Sequence, residues 1–209
     1  LFKLYKKSKN DTVLEEIFEI YRQMLEQGEA AACKAPGAGK GTAGAAGEGA
    51  CAWTTRAGTL AAAVILDGPE ALRLDAARLF QQVKSPALAE GLLQKTVDAS
   101  LPSVQILALA ASSGAELPAG RAAGLFAPFI ASTNKDVKSA ALVAAALAGV
   151  GEAGEKALLF FEDPEPAMRA AAILAAGVLL SNSPAWDPGG KVKAQVFDVL
   201  HDRQFNMTY

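Results

Sequence analysis

The sequence predicts an all-α protein, an α-α superhelix of about five antiparallel helix pairs, and three features of the chain point that way. A helical segment recurs, with Leu72, Val104, Val137 and Met168 in the same place at intervals of 32, 33 and 31 residues. Four residues further on every copy has alanine (Ala76, Ala108, Ala141, Ala172), and the next column reads Ala77, Leu109, Leu142 and Ile173. Hydrophobic residues make up 51% of the chain, much of it alanine, and aromatic residues only 7%. Alanine has the highest helix propensity and lets helices approach closely, whereas strands favour β-branched and aromatic side chains. A periodic array grows without one central core, so the 209 residues count repeats within a single domain, 1–209.

The first helix is predicted from Asp11 to Gln27, with Asn10 or Asp11 as N-cap and an apolar stripe of Val13, Ile17, Ile20, Tyr21 and Met24. Gly28 ends it. From Cys33 to Cys51 the chain is nearly all Gly, Ala and Lys, with no side chain large enough to anchor it, which predicts a mobile loop over about 33–51. Helix resumes at Trp53 and continues to Leu66. Beyond it, Asp67-Gly68-Pro69-Glu70-Ala71-Leu72-Arg73 and Asp163-Pro164-Glu165-Pro166-Ala167-Met168-Arg169 share an Asp six residues before an Arg. Their prolines fall in the first helical turn, where a missing N–H is harmless. Ser85-Pro86, Leu101-Pro102 and Leu117-Pro118 mark further helix starts. The pairs so drawn are 11–28 with 53–66, 69–83 with 86–98, 102–113 with 119–132, 135–149 with 152–162, and 165–181 with 190–201. The second helices carry the bulk (Leu88, Leu92 and Leu93; Leu125, Phe126 and Phe129; Leu158, Leu159 and Phe161; Val196, Phe197 and Leu200) and the first helices carry the alanines. Small side chains in one layer therefore face large ones in the other, and each pair can bury its apolar side only against its neighbours.

An acidic residue, often a proline, an apolar-basic pair and following alanines, as in Asp163 to Ala172 and Asp136-Val137-Lys138-Ser139-Ala140-Ala141, resemble HEAT repeats, including the short HEAT-like repeats of bacterial proteins. The resemblance covers about residues 53–201 and departs from the pattern at Gln105, which replaces the basic residue, and at Asp136, which directly precedes the apolar one. It implies that Arg73, Lys138 and Arg169 belong to an internal capping ladder of Asp and basic residues. It further implies a noncatalytic scaffold that binds a protein partner, with the second helices on the concave side. The polar residues shown there would be Gln94, Lys95, Arg121, Lys156, Lys191 and Lys193. Trp186, beside the irregular connection 183–190, is a further candidate anchor, since a tryptophan at an edge either packs a loop down or holds a partner. The competing reading is an enzyme on the same scaffold, of the chromophore lyase or DNA glycosylase type.

Chemistry-bearing motifs are few. Pro36-Gly37-Ala38-Gly39-Lys40-Gly41-Thr42 looks like a phosphate loop, but such a loop follows a buried strand and opens a helix, and neither flank here is suitable. Cys33 and Cys51, the two cysteines, flank that segment; a disulfide between them would add roughly 3 kcal/mol in the chain-entropy model and would imply an oxidising, periplasmic or extracellular setting. Two unrelated buried thiols are the alternative. Two cysteines and the sole histidine, His201, cannot complete a tetrahedral metal site, and no cofactor is expected. The single histidine also excludes the paired His-Glu motifs of HEAT-like iron hydroxylases. Its place near a helix C-terminus is what the helix dipole favours. A net charge of −2 argues against a nucleic-acid surface. The longest apolar runs, Leu60 to Leu66 and Ala140 to Val150, fall short of the roughly 20 residues that span a bilayer, so no membrane span is expected. The opening at Leu1 without an initiator Met is expected of a removed leader or of a start inside a longer sequence.

Overall fold

The computed structural model describes residues 11–28, 52–183, 186–187 and 190–201. Among them are ten helices and no strand, so the fold is all-α. The helices are α1 (Asp11–Gly28), α2 (Ala52–Asp67), α3 (Glu70–Val83), α4 (Pro86–Thr96), α5 (Pro102–Ser112), α6 (Ala119–Ile130), α7 (Lys135–Leu147), α8 (Gly151–Leu158), α9 (Pro166–Asn182) and α10 (Lys191–His201). The segment 33–51 lies outside the described residues, and with it the proposed loop, the Cys33–Cys51 bond and the string 36–42.

Local chemistry sets the helix ends. Pro86, Pro102 and Pro166 open α4, α5 and α9 at the position that needs no N–H. The Asn134 side chain accepts the Val137 N–H at 3.1 Å and so caps α7. The Asp187 carboxylate accepts the N–H groups of Val192 and Lys193 at 3.0 and 2.9 Å at the head of α10. α7 stops at Gly149, whose φ of +75° suits glycine. There the Val150 N–H bonds to Ala145 O and the Gly149 N–H to Ala146 O, with Val150 buried beneath them as in a Schellman cap. α8 is a turn shorter than predicted: Leu159 and Phe160 donate to carbonyls three residues back, at 3.2 and 2.9 Å. That tightening leaves Phe161 in the core and Leu159 exposed.

The repeated columns form the core. Leu72, Val104, Val137 and Met168 are buried, and Ala76, Ala108, Ala141 and Ala172 have no exposed surface at all. Ala77, Leu109, Leu142 and Ile173 are buried beside them, and Phe126, Phe129, Leu92 and Leu93 fill the other layer. α3 packs on α5, α5 on α7 and α7 on α9, so the alanine-bearing helices form an unbroken row. The Gln81 side chain crosses from α3 to donate to Ala110 O at 2.8 Å, and Ser139 Oγ donates to Met168 Sδ at 3.4 Å between α7 and α9. The other layer is looser: α4 and α6 touch lightly, and α6 and α8 touch less still.

Three details differ from the sequence reading. First, α4 packs mainly on α5, α6 on α7 and α8 on α9, rather than each on the first helix of its own drawn pair, and α1 rests on α3. The cause is visible at the turns. Gln105 Nε2 donates to the carbonyls of Thr96 and Val97 at the end of α4, at 3.2 and 3.0 Å, and Arg169 Nη1 donates to Asp163 O at 2.6 Å just beyond α8. Each fastens a first helix to the end of the helix before it. Second, these donors reach backbone carbonyls and not carboxylates. Arg73 Nε likewise donates to Gly68 O at 3.2 Å, while Lys138 Nζ stands 5.4 Å from the centre of the Phe160 ring. Third, α1 buries Leu14, Ile17 and Phe18 and half-buries Tyr21, leaving Val13 and Ile20 exposed. Both stripes have helical spacing, and α3, the helix on which α1 chiefly rests, covers only one.

Candidate functional site

A groove of about 920 Å³ lies between α1 and α3, with Phe18 and Leu79 among its apolar lining. The α1 wall is acidic, through Glu15, Glu16 and Glu19, and Arg22 on the same wall is tied to Glu19 by an ion pair of 2.8 Å. Hydrogen bonds from Arg22 and Gln23, the former largest, hold the Glu19 carboxyl below its ordinary range. The α3 wall contributes Asp75, Arg78, Gln81, Gln82 and Lys84, with Arg78 paired to Asp75 at 3.3 Å. Gln82 Oε1 is buried without a hydrogen-bond donor. Lys84, which closes α3, has φ 47° and ψ 39°, a left-handed conformation that glycine adopts without strain.

Along the row of first helices, the side opposite the buried columns carries a second regular pattern. Residues two past each anchor are Leu74, Ile106, Ser139 and Ala170, and those six past it are Arg78, Ala110, Val143 and Leu174. Leu74 and Leu174 are 51% and 55% exposed, and Leu147 nearby on α7 is 47% exposed. The sequence carries this signal, because both columns are largely apolar and yet out of phase with the alanines.

The residues singled out from sequence lie apart from this face. Gln94 and Lys95 are exposed on α4, Lys156 on α8 and Lys193 on α10. Gln94 Nε2 donates to Glu90 Oε1 at 3.4 Å, and Arg121 of α6 forms an ion pair with the same Glu90, so Glu90 gathers two of the candidates. Lys191 and His201 fall within α10, but their side chains are outside the described set. Trp186 is half-buried; its Nε1 donates to Gly151 O at 3.1 Å, and a Cβ added at Gly154 would come within 2.0 Å of its ring. The indole therefore fits a slot that α8 leaves open by using glycine.

Between α7 and the turn before α9, Lys135 at the head of α7 bridges to Asp163 and Glu165 at 3.2 and 3.1 Å. Asp163 also accepts the Glu165 N–H at 2.9 Å; that bond first, then Lys135, holds its carboxyl below the ordinary value, and the two carboxylates raise Lys135. Among the described residues no group of three or more His, Cys, Asp or Glu could hold a metal ion, and no helix is long and apolar enough to cross a membrane. Comparison of the chain with protein-family models, curated proteins and solved structures finds no match in any of the three.

Proposed function

We propose that the chain is a noncatalytic protein-binding scaffold, a HEAT-like α-α superhelix whose concave side is built by α3, α5, α7 and α9. The observation that carries this reading is the unequal spacing of the two layers. The first helices meet through alanines with no exposed surface, whereas α4 and α6 hold bulky leucines and phenylalanines and touch only lightly, and α8 is a short helix that buries Ala153, Gly154 and Ala157 against α9 and α7. A stack whose two layers have different spacings must curve, with the closer layer inside. Curvature of that kind opens an elongated face, and extended faces are how stacked helical arrays engage partners. On this reading Gln94, Lys95, Arg121 and Lys156, expected from sequence on the concave side, belong to the outer layer.

Affinity capture from a lysate by the intact chain, followed by cross-linking mass spectrometry, tests the reading. Cross-links concentrated on α3, α5, α7 and α9 are expected. Turnover of a substrate by the purified chain, or DNA binding at low salt that is lost as salt rises, would move the assignment to the enzyme alternative.

A further inference from the structure

We infer that the face of α3, α5, α7 and α9 takes an amphipathic, basic helical segment of a protein partner, laid across the four helices with its cationic edge along the turns that lead into them. The inference rests on the scaffold reading above and adds where the partner binds and what chemistry it presents.

The anchor of each repeat is buried, and at about 100° per residue the positions two and six further on stand roughly 200° and 240° round the helix from it. Both lie away from the buried alanine side, the residue two past turning toward the next helix of the row, as where Ser139 meets Met168, and the residue six past turning further toward solvent. Of the eight residues at these positions Arg78 alone is charged, and it is already paired with Asp75. Leu74, Leu147 and Leu174 are about half exposed, and Ile106 and Val143 partly so. Single exposed leucines need no explanation, but Leu74 on α3 and Leu147 and Leu174 on α7 and α9 are linked through Ile106 and Ala110 on α5 and Val143 on α7, along helices that touch in turn, which makes a slanting apolar band. Four helices packed about 8–10 Å apart carry that band over roughly 30 Å, the length of a helix of about 20 residues.

Charge supplies the occupant's sign. The turns leading into the four helices expose Asp67, Glu70, Asp98, Asp136 and Glu162. The exposed cation among their described residues, Lys135, is held by Asp163 and Glu165. Arg73 and Arg169 are half-buried with their guanidinium groups on backbone carbonyls. The opposite ends of the same helices carry Lys84 and, after α5, the exposed Glu116, and Glu15 and Glu16 of α1 line the groove beside Lys84. An apolar band bordered mainly by acidic residues complements a helix with one leucine face and one lysine edge, and repels an acidic one.

The test uses the full chain and two synthetic peptides of about 18 residues, each with a leucine face, one with lysines along one edge and its twin with glutamates there. Fluorescence anisotropy should show the lysine peptide bound and its twin unbound. The double change Leu74→Gln with Leu174→Gln should weaken binding about tenfold or more, and Glu70→Gln with Asp136→Asn should weaken it severalfold and flatten its salt dependence. Lys95→Ala with Lys156→Ala should change nothing. Melting curves check that each variant folds, and Leu174→Gln alone serves if the double variant does not. Equal binding of the two peptides, or binding by neither, overturns the inference. If the captured partner is lost on changing Lys95 and Lys156 but not Leu74 and Leu174, this surface fails while the scaffold reading stands.

Discussion

Lys84 and Gly154 show how single positions carry the local geometry. A non-glycine residue held in the left-handed region costs about 1–2 kcal/mol, and Lys84 sits there at the end of α3. Lys84→Gly should raise stability by about 1 kcal/mol in urea melts, less than the full strain because glycine also loosens the unfolded chain. No gain would mean that Lys84 has compensating contacts in the groove. Gly154 behaves oppositely. A methyl group there would lie 2.0 and 2.5 Å from two ring atoms of Trp186 and 2.6 Å from Leu179 Cδ1. Gly154→Ala should therefore destabilise by about 1–3 kcal/mol and, in a Trp53→Phe background, shift the remaining tryptophan emission to the red. Neither effect is visible from residue type alone, since a lysine after a helix and a glycine within one are both ordinary in a sequence.

At the level of the helices, the alanine columns and the turn fasteners do separate work. Ala141 has no exposed surface between α5 and α9, so Ala141→Leu should force the row apart and cost about 1–3 kcal/mol, whereas Leu147→Ala on the exposed side of the same helix should be nearly neutral. Gln105→Leu removes two donors from the carbonyls at the end of α4 and should cost about 0.5–1.5 kcal/mol. Gln105 breaks the residue pattern of its siblings but performs the job of Arg169, because what the turn requires is a donor and not a charge. The bridge from α7 to α9 has a pH signature. The folded Asp163 carboxyl is depressed from an ordinary value of 3.8, so its contribution is complete above that value and is lost as pH falls below it toward the folded value. Thermal melts of Lys135→Met and the unaltered chain should differ at pH 7 and converge at low pH; a constant difference would mean that the lysine acts through its aliphatic stem.

For the whole molecule, helices that pack mainly on their neighbours, as α3, α5, α7 and α9 do, should lose stability locally. Val196→Ala in α10 should raise hydrogen exchange in α9 and α10 and leave α3 unchanged, whereas a uniform rise would mean one cooperative core. Sequence alone determined the helical content, the helix starts and the buried columns, because proline, capping residues and 3.6-residue periodicity act within a few residues of themselves. The stripe of α1 and the length of α8 escaped it, since two stripes of equal spacing compete in the one and a run of tightened turns ends the other. Which helices press together and which stripe of α1 is covered were decided only in three dimensions. Those depend on the volume of alanine against phenylalanine across layers and on donors such as Gln105 and Arg169 reaching the carbonyls of the preceding turn, contacts that no local pattern encodes.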